Sequence, residues 1–408
     1  MRGEATQFNY TKSHSFPDVF SPYIAPFVPE PRLDTSRRLQ NLIVDGKLNL
    51  TLDDAIALAL ENNMEIAVAR YDLPNAQTDL LREKEGGATR GVAGSHQSST
   101  LFSGLASNTP TASFNPEFVS GLSVGFNQHL LKGFGTRTNS RFIRIGRNDV
   151  KFSISIFRQN VINEVAVVMT TYYDLLSDLE MIRAAQEGLE HGQKLLKNNQ
   201  AEGKSGPVAH YDVLLSQEEV ALRQQDLLEA QNTFSEHAQS LKAKISKSFN
   251  EELATVEVIP SDRLPDPHSD DVPALAEALR EPASHRPEIE QADLSLCNQQ
   301  IAIQATRNSL LPSLDVFASY YLSGLDGALR PTFGNIFQYD FPNISYGARL
   351  NLPIRNRTAQ ADAARALLEQ RQLQMKLQNA KDYAVWDVSK AVSAVQQARD
   401  RLDAALNW

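Results

Sequence analysis

Glu65-Ile66-Ala67-Val68-Ala69-Arg70-Tyr71-Asp72-Leu73-Pro74-Asn75-Ala76-Gln77 is the stretch on which the fold turns, because much of it returns near the middle of the chain. Glu65-Ile66 comes back as Glu288-Ile289, and Ala69, Leu73, Asn75 and Gln77 come back as Ala292, Leu296, Asn298 and Gln300. The offset stays near 220 further on, where Gly125 returns as Gly347 and Arg137-Thr138 as Arg357-Thr358. A fixed offset of this kind marks an internally doubled architecture. Each copy reads as helix, strand pair, very long helix, hairpin tip and return helix. Pro74 is expected to kink or split the helix of the first copy, which runs from about 65 to 85.

Between the helices the period changes. Leu122, Val124 and Phe126 alternate with Gly121, Ser123, Gly125 and Asn127, within a strand pair at about 88–131. In the second copy, strands at about 313–322 and 343–352 repeat the pattern. There Leu314, Val316, Ala318, Tyr320 and Leu322 oppose Ser313, Asp315, Phe317 and Ser319, and Ile344, Tyr346 and Leu350 oppose Ser345, Gly347 and Arg349. A period of two with one apolar face describes a half-covered strand.

The helices are long. Val161, Val165, Val168, Tyr172, Leu175 and Leu179 belong to a helical pattern over about 138–200, a rod of about 90 Å at about 1.5 Å per residue. Gly203, Gly206 and Pro207 break it, and a return helix over about 209–247 carries Val213, Val220, Leu227, Phe234 and Leu241 at sevens. Leu214, Ala221 and Leu228 form a second line beside that seam, so the helix is expected to pack on two sides. A further long helix starts near 358. Shifting the first tip by the repeat offset places a second tip beyond Trp408, so the chain reads as C-terminally incomplete. The domain reading is a Pro-rich N-terminal arm at 1–48, a first repeat at 49–250, a linker at 251–287 and a truncated second repeat at 288–408.

Composition narrows the classes. Forty Lys and Arg against 49 Asp and Glu give a net charge of −9, which argues against a nucleic-acid binder. The single cysteine, Cys297, excludes an intrachain disulfide and a Cys-rich zinc site. No histidine pair has metal-ligand spacing, and His191, His210 and His237 read as solvated helix residues. Gly133-Phe-Gly135 is too little for a phosphate loop, and the Asp53-Asp54 and Glu218-Glu219 pairs read as exposed helix charges. No catalytic constellation is present, so neither an enzyme nor a cofactor is expected. No apolar run reaches the roughly 18 residues of a membrane-spanning helix, and Met1-Arg2-Gly3-Glu4 leads into no apolar signal. A β-barrel escapes that test, because its strands are short and alternate.

Two strand pairs among such long helices make no sheet-on-helix core, and four strands cannot close a barrel alone. Several chains together can. The ordered residues resemble the TolC-type outer-membrane efflux channels of Gram-negative bacteria over about 38–408. Leu50-Thr-Leu-Asp-Asp-Ala-Ile-Ala-Leu-Ala-Leu-Glu-Asn-Asn63 is similar to that family's opening motif, and Gly203 through Asp212-Val213-Leu214 to its first periplasmic tip. Leu310-Leu-Pro-Ser-Leu314 and Leu350-Asn-Leu-Pro-Ile354 resemble the segments flanking its second strand pair.

The resemblance implies an α+β membrane protein with a two-fold internal repeat. Long antiparallel helical hairpins would form an α-barrel in the periplasm, and the four strands of each chain would contribute to a trimeric transmembrane β-barrel. It further implies an outer-membrane export duct of a tripartite efflux or type I secretion system. Such a homotrimer would sit in outer-membrane lipid and dock with a periplasmic adaptor and an inner-membrane pump. The docking tip would be Gly203, Lys204, Ser205, Gly206 and Pro207 with Asp212 and Val213. The membrane-facing strand residues would be Leu122, Val124, Phe126, Leu314, Val316, Tyr320, Ile344, Tyr346 and Leu350. Arg349, on the polar face, lines a pore or sits near its rim. Tyr320, Tyr321, Tyr339, Tyr346, Phe333, Phe337 and Phe341 suit an aromatic belt, and the loops at about 105–116 and 324–342 would be extracellular. The family's second tip and its acidic constriction have no counterpart here. The competing expectation is a soluble coiled-coil scaffold, or a periplasmic adaptor, without a pore.

Overall fold

The computed structural model describes residues 28–31, 33–87, 102–107, 115–202, 207–264, 274–280, 286–338 and 342–406. Contacts divide the chain into two compact units. The first comprises Met1–Asn75, Ser153–Glu281 and Asp387–Trp408, and the second Ala76–Phe152 and Pro282–Trp386.

The first unit opens with helix α1 (Arg37–Leu42) and a hairpin of β1 (Ile43–Val44) and β2 (Lys47–Leu50). Its turn is Asp45-Gly46, both at positive φ, as a two-residue turn of the primed type requires. Residues 37–48 are therefore folded rather than part of an extended arm. Helix α2 (Leu52–Asn62) starts at Thr51, whose hydroxyl accepts from the Asp54 amide at 3.2 Å and donates to the Asp54 carboxylate at 2.8 Å. Those bonds from Thr51, and then the one from Arg38, hold the Asp54 carboxyl below its usual range. Asp54 is thus the partner of the Thr51 cap and of Arg38, more than a solvated helix charge.

Helix α3 (Met64–Ala69) is capped by Asn63, and α4 (Asp72–Lys84) follows after a break at Arg70-Tyr71. The break has a local cause: a proline ring clashes with the carbonyl four residues before it, and Arg70 is that residue for Pro74.

Two long helices follow, with α5 (Thr136–Asn139) preceding the first of them, α6 (Arg141–Glu202). Its antiparallel neighbour is α7 (Pro207–Ile245). Asn199 donates to Ser216 at 2.7 Å, and His237 pairs with Asp178 at 2.7 Å, which fixes their register. His237 is therefore an inter-helix partner rather than a solvated residue. Val168, Tyr172 and Leu175 from one stripe of α6, and Ala238, Leu241 and Ile245 from α7, close over Leu48, Leu50 and Leu58. Helix α8 (Glu251–Thr255) and β5 (Glu257–Pro260) complete this core, β5 pairing in parallel with β2 through Leu48 and Val258. Helix α9 (Leu275–Ala278) ends the segment. Of the seam at sevens, Leu241 is buried and Phe234 packs on the core, while Leu214 and Leu228 of the second line are exposed.

Beside the core, Glu164 accepts from Asn63 at 2.8 Å and from Lys244 at 3.0 Å. Burial pushes its carboxyl up, but the bonds from Lys244 and Asn63 outweigh that and hold it below 4.5. A carboxyl lowered on folding contributes stability above its unfolded pKa and loses it as pH falls through the folded one. Glu164→Gln is expected to cost about 1–2 kcal/mol at neutral pH. The gap from the parent protein should close as pH drops below 4.5, read as melting temperature against pH. A gap that widens on acidification would contradict this account.

In the second unit the equivalent of α3 and α4 is one unbroken helix, α10 (Pro287–Ser309), because Cys297 stands at the repeat position of Pro74. The sheet that follows is antiparallel, in the order β3 (Phe102–Ser107), β4 (Glu117–His129), β6 (Ser313–Asp326), β7 (Pro342–Asn351). The span 324–342, expected as a loop, holds helix α11 (Leu329–Phe337). Helix α12 (Arg357–Leu406) follows β7. Asn298 accepts from Asn148 and donates to Asp149, and Gln299 donates to the Ala366 carbonyl, tying α10 to α6 and α12.

Candidate functional site

The four-stranded sheet has two unlike faces. In an antiparallel ladder, paired residues share a face and successive residues alternate. The register pairs Leu122 with Leu322, Val124 with Tyr320, and Phe126 with Ala318. It continues Leu314 with Leu350, Ala318 with Tyr346, and Tyr320 with Ile344. All nine strand residues assigned from the sequence therefore lie on one face. Seven of them are exposed in the single chain, Tyr346 at 83% and Ile344 at 66%, while Leu122 and Leu314 are half-buried.

The opposite face is polar and braced by rings. Ser319 and Ser345 hydroxyls meet at 2.6 Å, and His129 Nδ1 lies 2.5 Å from Asp315. Asp315 is paired in turn with Arg349, whose guanidinium stands 5.8 Å from the Phe317 ring centre. Arg349 thus belongs to a charged row at the end of the sheet where β4 and β7 lead into helices. The Phe317 ring reaches across to Gly347, where a Cβ would stand 2.9 Å from Cζ, and Tyr321 crowds Gly121 in the same way. Both glycines leave room for an aromatic ring from the neighbouring strand. Gly347→Val is expected to lift the Phe317 ring and cost about 1–3 kcal/mol. Its midpoint in chemical denaturation should fall, and an unchanged midpoint would count against this packing.

The sheet is open. Among the described residues β3 and β7 have no strand on their outer sides. A long apolar edge in water invites pairing with another chain, and natural soluble proteins blunt or cover such edges. Here β7 offers ten residues, several of them apolar and exposed.

Of the tip residues, Gly203, Lys204, Ser205 and Gly206 lie outside the described residues, as do Tyr339 and Phe341 of the aromatic set. Pro207 is the first residue of α7, with Asp212 exposed and Val213 half-buried further along it. Among the described residues no group of His, Cys, Asp and Glu is arranged to hold a metal ion. No helix there is long and apolar enough to cross a membrane.

Sequence reasoning missed Lys242. It is buried in the first unit, its ammonium bonding the carbonyls of Ala254 at 2.8 Å and Val256 at 3.1 Å, and burial pulls its pKa down. Nothing in a lysine near the end of a charged helix signals that role.

No protein-family model matches the chain, and no curated protein matches it. Solved structures do. The outer membrane channel CmeC of Campylobacter jejuni aligns over 93% of this chain and 81% of its own, with TM-score 0.65 and 18% identity. The open state of the MtrE outer membrane channel of Neisseria gonorrhoeae aligns over 93% and 84%, with TM-score 0.62 and 18% identity. The outer membrane protein VceC of Vibrio cholerae aligns over 87% and 81%, with TM-score 0.63 and 16% identity. The chain therefore has the fold of the TolC-type outer-membrane channels, which the sequence resemblance had implied.

Proposed function

We propose that the chain is a subunit of a passive export duct in an outer membrane. One observation carries the reading: a four-stranded sheet with one largely exposed apolar face, one polar face and, among the described residues, two unpaired edges. A sheet of that kind is stable as a segment of a transmembrane barrel, whose lipid face is apolar, whose lumen is polar and which has no edge. Closure takes other copies, and the homotrimer implied by the resemblance provides them. Leu214 and Leu228 on α7, and Leu368 and Met375 on α12, are exposed apolar residues suited to packing between the helices of such an assembly. The long hairpins would form the periplasmic helical tunnel. The turn at Gly203 to Pro207, with Asp212 and Val213, would dock a periplasmic adaptor leading to an inner-membrane pump. The duct does no chemistry; partner binding at the tips would favour an open arrangement of helices.

The test is expression of the full chain in a Gram-negative host, followed by detergent extraction. The protein should stay with the outer membrane until detergent is added, elute at three times the chain mass, and conduct ions in planar bilayers. Recovery as a soluble monomer without detergent would overturn the duct and favour the scaffold.

A further inference from the structure

Helix α11 stands apart from the reading so far. It packs on the inner strands β4 and β6, against the same face that carries Val124 and Tyr320. Ser120, on that face, donates to the Thr332 carbonyl at 2.9 Å, and a Cβ on Gly324 would collide with the same carbonyl. Asn335 donates to the Leu325 carbonyl at 3.3 Å. Thr332 and Ile336 are buried beneath the helix, together with Leu322 of the sheet. The outward stripe is Leu329, Phe333 and Phe337, spaced by four, at 57%, 40% and 62% exposure. Arg330 is its one charged residue, and it has no acid.

We propose that α11 is an interfacial anchor, its outward stripe seated at the boundary between headgroups and acyl chains of the outer leaflet. The proposal rests on the duct reading and deepens it. Three features select lipid over protein as the occupant. The helix lies on the apolar wall itself, so its stripe continues the surface that the duct reading gives to acyl chains. Copies of the chain would join through β3 and β7, two strands that flank those under α11, leaving its stripe uncovered. And α11 sits in the β6–β7 connection, at the end of the sheet away from the strand ends that lead into the long helices. Aromatic and aliphatic side chains on a short amphipathic helix favour that depth.

The test uses the assembled full-length protein in phospholipid bilayers, with Cys297→Ser as background. Nitroxide labels are placed singly at F333C, F337C and, on the wall, V124C, level with Tyr320 and Ile344 at mid-sheet. Collision with oxygen, which concentrates in lipid, is compared with collision with a water-soluble nickel complex. Oxygen dominating several-fold at all three positions, deeper at 124 than at 333 and 337, is the expected result. A label at 124 in lipid with 333 and 337 open to nickel would overturn the anchor and leave the duct standing. So would labels at 333 and 337 shielded from both reagents, which would mean a protein covers the helix. Nickel access at 124 would sink the duct itself, and the anchor with it. F337C gives an independent reading should F333C fail to assemble.

Discussion

Lysine in place of Ile344 is expected to abolish stable insertion, whereas lysine in place of the adjacent Asn343 is expected to leave it intact. The two residues are neighbours on β7, equally close to its edge, and point to opposite faces. Ile344 lies in the row with Tyr320 and Val124, and Asn343 is paired with Tyr321 on the polar side. A lysine on the lipid face near the bilayer midplane costs about 2–4 kcal/mol. In a trimer that becomes roughly 6–12 kcal/mol, comparable to the whole stability of an ordinary domain. The readout is the fraction of chain resisting urea extraction from membranes, together with the yield of trimer on unheated gels. Equal loss for both variants would mean that the two faces do not meet different solvents.

Tyr172→Ala should be the most damaging single change in the first unit, at about 3–5 kcal/mol. Its side chain is fully buried, and its hydroxyl lies 2.9 Å from the Leu50 carbonyl and 2.8 Å from the Asp262 carboxylate. Asp262 also accepts from the Leu52 amide at 2.7 Å, so this hydroxyl ties α6 to the strand β2 and to the start of α2. Burial first, and then the bond to Asp262, push the phenol well above its ordinary value, so it stays neutral across the accessible pH range. Tyr172→Phe keeps the ring and removes the hydroxyl, for an expected cost of about 1–2 kcal/mol. Denaturant midpoints in detergent should rank the parent protein above Tyr172→Phe, and Tyr172→Phe well above Tyr172→Ala. Near-equal midpoints for the two variants would show that packing around the ring matters little.

What the sequence revealed depended on the length over which a pattern repeats. The strand face was readable because Val124, Val316, Tyr320 and Ile344 each sit in a run that alternates for several residues, and the register then aligned the runs. The long helices were readable for the same reason, through sevens such as Phe234 and Leu241. The small sheet of β1, β2 and β5 was not: its strands are two to four residues long, and Leu48 meets Val258 across most of the first repeat. Helix α11 was hidden because Pro331 and Gly334 fall inside nine residues, where a proline near the start is tolerated but reads as a turn. His237 was misjudged because its partner, Asp178, is reached only once two helices lie side by side.

The open margins of the sheet also bear on how such a duct comes into being. A freshly made copy would have to cross an aqueous compartment with two ladders of backbone groups unanswered and its greasy side uncovered. Finding two siblings is an encounter whose speed rises steeply with the supply of chains, whereas sticking to anything else is always on offer. Abundance of the finished conduit should therefore depend less on the strength of any single contact than on how long a holdase can keep each newcomer solitary.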